Sequence, residues 1–269
     1  MSWCNEQYRY LKLAGNGLAE LAKVALIIEY DGTEYHGFQI QPNLPTIQAA
    51  MERAMLALTG EKVRARAASR TDSGVHARGQ VVEFANGLNM PMETVVRALN
   101  HYLPADIAVR AAYPVADDFD ARRYAVSRNY RYHILNRKTR SPLWRRWSHT
   151  VASTLDVQAM NLACQALVGI HDFAAFTWPV AGKSTVRRVF RAEVARKGDL
   201  VTIDIEANSF LAHQIRNTAG ALIRVGLGQL EAAAFHRLVA SAEAGAAWPA
   251  APACGLCLME VKYTSPWTA

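Results

Sequence analysis

Between Val24 and Val115 the apolar residues fall into six segments that switch between the strand period of two and the helical period of about 3.6, and their order limits the fold more than any other feature. Val24–Tyr30 is an apolar run of strand length. Thr46–Thr59 carries Ile47, Met51, Ala54, Met55 and Leu58 on one helical face, with Thr46 following Pro45 as the N-cap. Val63–Ala67 and Gln80–Phe84 read as strands, Met92–Leu103 as a helix and Ile107–Val115 as a strand. The series is β-α-β-β-α-β.

A similar order returns in the second half. Ser127–Leu135 reads as a strand. Asp156–Val168 is a helix with Val157, Met160, Cys164 and Leu167 in register, followed by strands at Val189–Arg196 and Leu200–Ala207. Helices over Ala212–Val225 and Ala232–Ala244 precede a last strand, Leu256–Tyr263. The halves share element order but not residue identity. The expected architecture is α+β: two ferredoxin-like lobes, resembling RNA-recognition folds, with joined antiparallel sheets, helices packed on them and a central cleft. Pro104, Pro114 and Asp117-Asp118 mark the junction. The expected division is an N-terminal extension at 1–23, an N-terminal lobe at 24–117 and a C-terminal lobe at 118–269.

The 269 residues suffice to bury a large core, and 51% hydrophobic content is ordinary for a globular enzyme. No apolar run approaches the roughly 20 residues that span a bilayer. The segment 1–23 lacks the compact apolar core and cleavage site of a secretory signal, and Glu6 and Glu20 count against a transit peptide. With 30 Lys and Arg against 23 Asp and Glu the net charge is +7, which favours a polyanionic partner. The arginines are clustered: Arg64, Arg66, Arg70 and Arg78, then Arg122 to Arg146, then Arg187 to Arg191. Guanidinium groups suit forked phosphate contacts, although basic residues alternating on a strand also make an ordinary solvated face. Cys254 and Cys257 form a lone CxxC without a second pair, and a core cysteine in a reducing cytoplasm is the better reading.

One polar break concentrates the chemistry. Ser69-Arg70-Thr71-Asp72-Ser73-Gly74-Val75-His76-Ala77 lies between two strand segments and joins an acid, a base and a glycine in a short loop. A guanidinium near Asp72 favours its charged form, as a nucleophile or base requires. The same residues also suit a capped turn, with Asp72 on backbone amides and Gly74 at positive φ. In Asn129-Tyr130-Arg131-Tyr132 the period of two sets both tyrosines on one sheet face, as core aromatics or as a stacking surface. Arg216 sits early in a helix whose core face includes Ile215, Ala219, Leu222 and Ile223. There it either snorkels to solvent or meets a charge partner.

Arg70-Thr71-Asp72-Ser73-Gly74-Val75-His76-Ala77 resembles the R-T-D-A-G-V-H-A signature of the tRNA pseudouridine synthase A family, with Ser73 for the usual alanine and Ser69 for the glycine before it. Glu29-Tyr30-Asp31-Gly32-Thr33-Glu34-Tyr35-His36-Gly37-Phe38-Gln39 resembles that family's E-Y-D-G-x-x-Y-x-G-W-Q, Phe38 replacing tryptophan. Asp117-Asp118-Phe119-Asp120-Ala121-Arg122 resembles its D-D-F-x-A-R, Asn208–Gly220 its N-A-F-x-x-x-x-x-R-N-x-x-G, and Gly255-Leu256 its closing strand. The motifs occur in order from Val24 onward.

The resemblance implies an isomerase that breaks the bond from C1′ to N1 of a uridine in the anticodon arm of tRNA, turns the base and rejoins C1′ to C5, with no cofactor and no metal. It implies Asp72 as nucleophile, at C1′ of the ribose or at C6 of the base, with Arg216 as its charge partner. Tyr130 is implied as the ring that contacts the target base. Arg70 either pairs structurally with Asp72 or fills the space left by an extruded uridine. His76 is expected to be loop architecture. A cytoplasmic homodimer is implied, holding one tRNA across both subunits, with no membrane association. Three other classes compete: a non-catalytic RNA-binding protein of the same fold, a glycosidic hydrolase and a metal enzyme. Asp72, Tyr130 and Arg216 are all present, against the first. No second carboxylate pairs with Asp72 for the hydrolase, and beyond the CxxC no ligand-spaced cluster supports the metal enzyme.

Overall fold

The structure, a computed structural model, describes residues 23–85, 90–178, 181–241 and 243–264. Apart from Lys23, which opens the first strand, the segment 1–23 lies outside the described residues, as does Cys4. Ten strands and five α-helices are present among the described residues, in two compact units: one runs to Val126 and resumes at Glu260, the other comprises Ser127–Met259.

The first unit follows β1 (Lys23–Tyr30), α1 (Ile47–Thr59), β2 (Arg66–Ala67), β3 (His76–Ala85), α2 (Met92–Tyr102) and β4 (Ile107–Val115). The order across its sheet is β4-β1-β3-β2, every pair antiparallel. β1 lies between β4 and β3 and is buried along almost its whole length, which is why it reads as an uninterrupted apolar run. α1 starts where Thr46 Oγ1 accepts from Ala49 N at 3.3 Å and ends at Gly60, whose φ of 75° is the left-handed turn that suits glycine. Its apolar face buries Ile47, Met51, Ala54 and Met55.

The expected strand Val63–Ala67 is cut to Arg66–Ala67. Two α1 side chains take the backbone of Ala65: Glu52 Oε1 accepts its N–H at 3.0 Å and Gln48 Nε2 donates to its carbonyl at 3.0 Å. With both groups satisfied by a helix, the ladder begins one residue later. The strand expected at Gln80–Phe84 starts earlier, at His76, so the polar loop runs directly into β3.

The second unit contains β5 (Ala125–Asn136, entering from the first unit), β6 (His149–Val151), α3 (Val157–Cys164), β7 (Gly169–Asp172), β8 (Val186–Lys197), β9 (Leu200–Ala207), α4 (Gln214–Gly226), α5 (Ala232–Ala240) and β10 (Leu256–Tyr263, leaving to the first unit). Its strands run β5-β9-β8-β7 antiparallel, and β6 lies parallel to β5. β6 and β7 are additions to the expected order; at three and four residues they are too short to show a period. α3 is capped by Asp156, whose Oδ1 accepts from Ala159 N at 2.9 Å, and packs on α4, α5 and β8. Phe173, Phe176 and, on α5, Phe235 form a buried aromatic cluster. No helix among the described residues is long and apolar enough to cross a membrane.

Candidate active site

The polar loop from Ser69 to Val75 is held from three sides, all within the first unit. From β3, Gln80 is fully buried and its side-chain amide takes the place of a neighbouring strand. Its Oε1 accepts from Ser69 N at 3.2 Å and its Nε2 donates to Ser69 O at 2.7 Å. From β1, the Tyr30 hydroxyl lies 2.8 Å from Thr71 Oγ1 in a buried hydrogen bond. From the segment after β1, Phe38 N donates to Thr71 O at 3.1 Å, Gly74 N donates to Tyr35 O at 3.1 Å, and Ser73 Oγ donates to the same carbonyl at 3.3 Å. A turn closes the loop itself, with Val75 N donating to Asp72 O at 3.2 Å.

Two glycines explain why the segment 29–39 accompanies this loop. Gly37, at φ 83°, passes so close that an added Cβ would stand 2.7 Å from Thr71 O and 3.1 Å from the Asp72 carbonyl carbon. A Cβ at Gly32 would run into the carbonyl oxygen of Val75. Backbone therefore packs on backbone at both ends of the loop, an approach open only to glycine.

Asp72 is half-buried, and Arg70 and Ser73 are exposed. Asp72 is thus only partly covered on a fixed loop. His76 is 1% exposed, and its Nδ1 accepts from Gly32 N at 3.1 Å and lies 3.2 Å from Asp31 Oδ1. With Nδ1 accepting, the imidazole fastens β3 to the turn after β1. Tyr35 donates its hydroxyl to Asp106 Oδ1 at 2.6 Å, and burial together with that carboxylate holds the phenol well above its usual range. Beneath the loop, Glu83 is 2% exposed and accepts from Ala121 N at 2.9 Å; burial raises its carboxyl above the ordinary value.

Tyr130 and Arg216 belong to the second unit. Tyr130 and Tyr132 share one face of β5 and both are buried, at 4% and 0% exposure. They differ in use. Tyr132 is anchored, its hydroxyl donating to Pro252 O at 2.8 Å, with Gly255 so close that a Cβ there would be 2.6 Å from its ring. Tyr130 is set edge-to-face against Phe210, with centroids 5.4 Å apart and planes at 85°. Between them Arg131 points to the opposite face and grips its cross-strand partner Asp204, Nε lying 2.9 and 3.1 Å from the two carboxylate oxygens.

Arg216 lies in the first turn of α4. Its Nε donates to Ala251 O at 2.9 Å, while Ala251 N donates back to Arg216 O at 2.9 Å. Its Nη1 is 3.3 Å from Nδ1 of His213, which caps the helix with the left-handed φ of 59°. The neighbouring Asn217 donates to Phe176 O at 2.8 Å, and a Cβ on Gly220 would strike Pro249 O. The R-N-x-x-G spacing thus docks α4 against the backbone of 249–251. Gly32, Gly37 and Asn217 lie inside the quoted motifs without a role that the sequence assigns to them, and Gln80 lies outside those motifs. Gln80 carries one signal, an amide at the head of the segment Gln80–Phe84, in which Glu83 is the other polar residue.

Cys254 is half-buried with its Sγ 3.6 Å from Ser148 O, and Cys257 is buried in β10; both are free thiols. Among the described residues no group of three or more His, Cys, Asp or Glu is placed to hold a metal ion.

The family model for tRNA pseudouridine synthase matches residues 26–123 and 163–264 of the chain. A tRNA pseudouridine synthase A of Pelobacter propionicus is 43% identical over 241 residues, covering 89% of this chain and 99% of that protein. One from Geotalea daltonii is 43% identical over 244 residues, covering 90% and 100%. One from Roseiflexus castenholzii is 44% identical over 247 residues, covering 90% and 91%. A chain of a solved Cbf5-Nop10-Gar1 complex matches at 11% identity with a TM-score of 0.33, over 77% of this chain and 46% of that one.

Proposed function

Because the chain belongs to the tRNA pseudouridine synthase family, we propose that it isomerises uridine to pseudouridine in the anticodon arm of tRNA, with Asp72 as the nucleophile. One observation carries the reading: the loop bearing Asp72 is fixed through its backbone by Gln80 and the close glycines and through the Thr71 hydroxyl by Tyr30, yet leaves Asp72 partly exposed. A nucleophile needs this combination, because a position set before the substrate arrives lowers the entropic part of the barrier.

The reaction moves no electrons to or from a cofactor. The carboxylate either attacks C1′ and is later displaced by C5, or adds to C6 and is eliminated after the base has turned; C1′ ends joined to C5 in place of N1, the proton lost from C5 is balanced by one taken up at N1, and the carboxylate is regenerated. Tyr130 would hold the loose base against its ring, which Phe210 fixes at right angles. Arg70, two residues from Asp72, would supply positive charge to the carboxylate, and Arg216 would supply it to the reacting RNA. The protein would work as a cytoplasmic homodimer.

The test is pseudouridine formation in an unmodified tRNA transcript by the wild type and Asp72→Ala in parallel. Product in the anticodon arm with the wild type alone is expected. Product from both would remove Asp72 from the chemistry, and binding without product from either would favour an RNA-binding protein.

A further inference from the structure

A cavity of about 320 Å³ opens within the first unit beside the Asp72 loop. Its lining includes Arg64, Arg66, Arg70, Arg122 and Arg123, with a single acid, Asp120. All five arginines are exposed. A sphere of that volume is about 8.5 Å across, so these cations face one another within roughly one Debye length at physiological salt. Asp120 offsets part of this charge: its Oδ1 caps a turn by accepting from Arg122 N and Arg123 N, each at 2.9 Å, and its Oδ2 lies 3.9 Å from Arg123 Nε. Glu83 lies across the ladder from Arg66, but it is buried, held by Ala121 N and no part of the lining. One carboxylate among five guanidiniums leaves the lining with a net positive charge that favours an anion. Their forked donors match phosphate oxygens, and the volume exceeds that of a bare phosphate.

Arg70 fixes where such an anion would lie. It lines the cavity and is two residues from Asp72, a reach of at most about 7 Å along the backbone. We propose that this cavity binds the phosphodiester and ribose of the nucleotide next to the one that reacts at Asp72, and so sets which uridine of the strand reaches the carboxylate. The inference rests on the isomerase reading for the identity of the reacting nucleotide. The cavity itself needs only an RNA strand.

The test uses the full chain carrying Asp72→Ala, so that RNA binds without turnover, and an unmodified anticodon stem-loop as the probe. Dissociation constants are measured against salt concentration for this protein and for versions adding Arg66→Ala, Arg122→Ala or both, with Arg97→Ala on α2 as a control of equal charge change. Each cavity substitution is expected to weaken binding roughly fivefold and to lower the slope against salt by about one, with Arg97→Ala doing neither. A stem-loop with one neutral methylphosphonate flanking the target uridine should lose affinity on the parent protein and lose much less on the double variant. Unchanged affinity and slope, an equal effect from Arg97→Ala, or a methylphosphonate penalty of the same size on both proteins would overturn the proposal. Absence of pseudouridine from the wild type would sink the isomerase reading instead, and would leave these binding results to stand or fall alone.

Discussion

The side-chain amide of Gln80 and the backbone of Ser69 are joined by two reciprocal hydrogen bonds, 3.2 Å into the amide oxygen and 2.7 Å out of the amide nitrogen. A buried side chain thereby stands in for a strand and fixes the entry to the Asp72 loop. Gln80→Leu keeps the volume and strands both backbone groups of Ser69. Each unsatisfied group costs about 1–3 kcal/mol. The thermal midpoint should fall by several degrees, read by circular dichroism, and turnover should fall further than KM rises. A variant with wild-type stability would show that water replaces the amide.

Gly37→Ala tests the close approach at the other side of the loop. The added methyl meets Thr71 O at 2.7 Å at a backbone angle unfavourable for alanine. Overpacking of this kind costs about 1–3 kcal/mol. Displacement of Thr71 and Asp72 should lower kcat by about a hundredfold, as misplacements near 1 Å do in other enzymes. Retention of full activity would mean that the loop position is not critical for the reaction.

Tyr130→Phe retains the ring and its edge contact with Phe210. Stacking, rather than the hydroxyl, is the property assigned to this residue, so single-turnover rates should fall by less than about tenfold. A larger fall with unchanged RNA affinity would assign the hydroxyl a role in the chemistry.

Glu83 supplies a dependence on pH. Burial raises its carboxyl, outweighing the Ala121 N–H and the charges of Lys23 and Arg66, so the folded state favours the protonated acid. A group raised on folding contributes stability that is complete below its unfolded value and is lost as pH climbs through its folded value. Glu83→Gln removes that loss and keeps an acceptor for Ala121 N. It should raise the thermal midpoint at pH 7–8, with the gain vanishing below about pH 4, near the ordinary glutamate value. A gain that persists undiminished into acid would assign the effect to packing.

The first unit was legible from periodicity because its elements are long and one-sided: β1 as an apolar run, α1 from Thr46 to Gly60, and α2 and β4 nearly to the residue. β2 was overestimated, since alternation reports which side chains are buried and not what satisfies the backbone; Gln48 and Glu52 settle that from another element. Asp72, Tyr130 and Arg216 stood out through motifs. Gly32 and Gly37 lie in a motif too, but the use of these supports does not show, because a glycine's close approach or a glutamine's reach to a backbone eleven residues away leaves no period to detect. For Arg216, the sequence offers a snorkelling side chain or a charge partner, and the Ala251 carbonyl that its Nε meets leaves no mark in the sequence.

The backbone clasp around Ser69 to Val75 also bears on when ordering takes place. A loop fastened at its entry by Gln80, at Thr71 by Tyr30 and Phe38, and at Gly74 by Tyr35 has lost its conformational freedom by the time the chain has folded. That entropy is therefore charged against the marginal stability of the free protein and not against each encounter with RNA. Accommodation then falls to the RNA, which must leave its own stack and bend to a loop that does not yield.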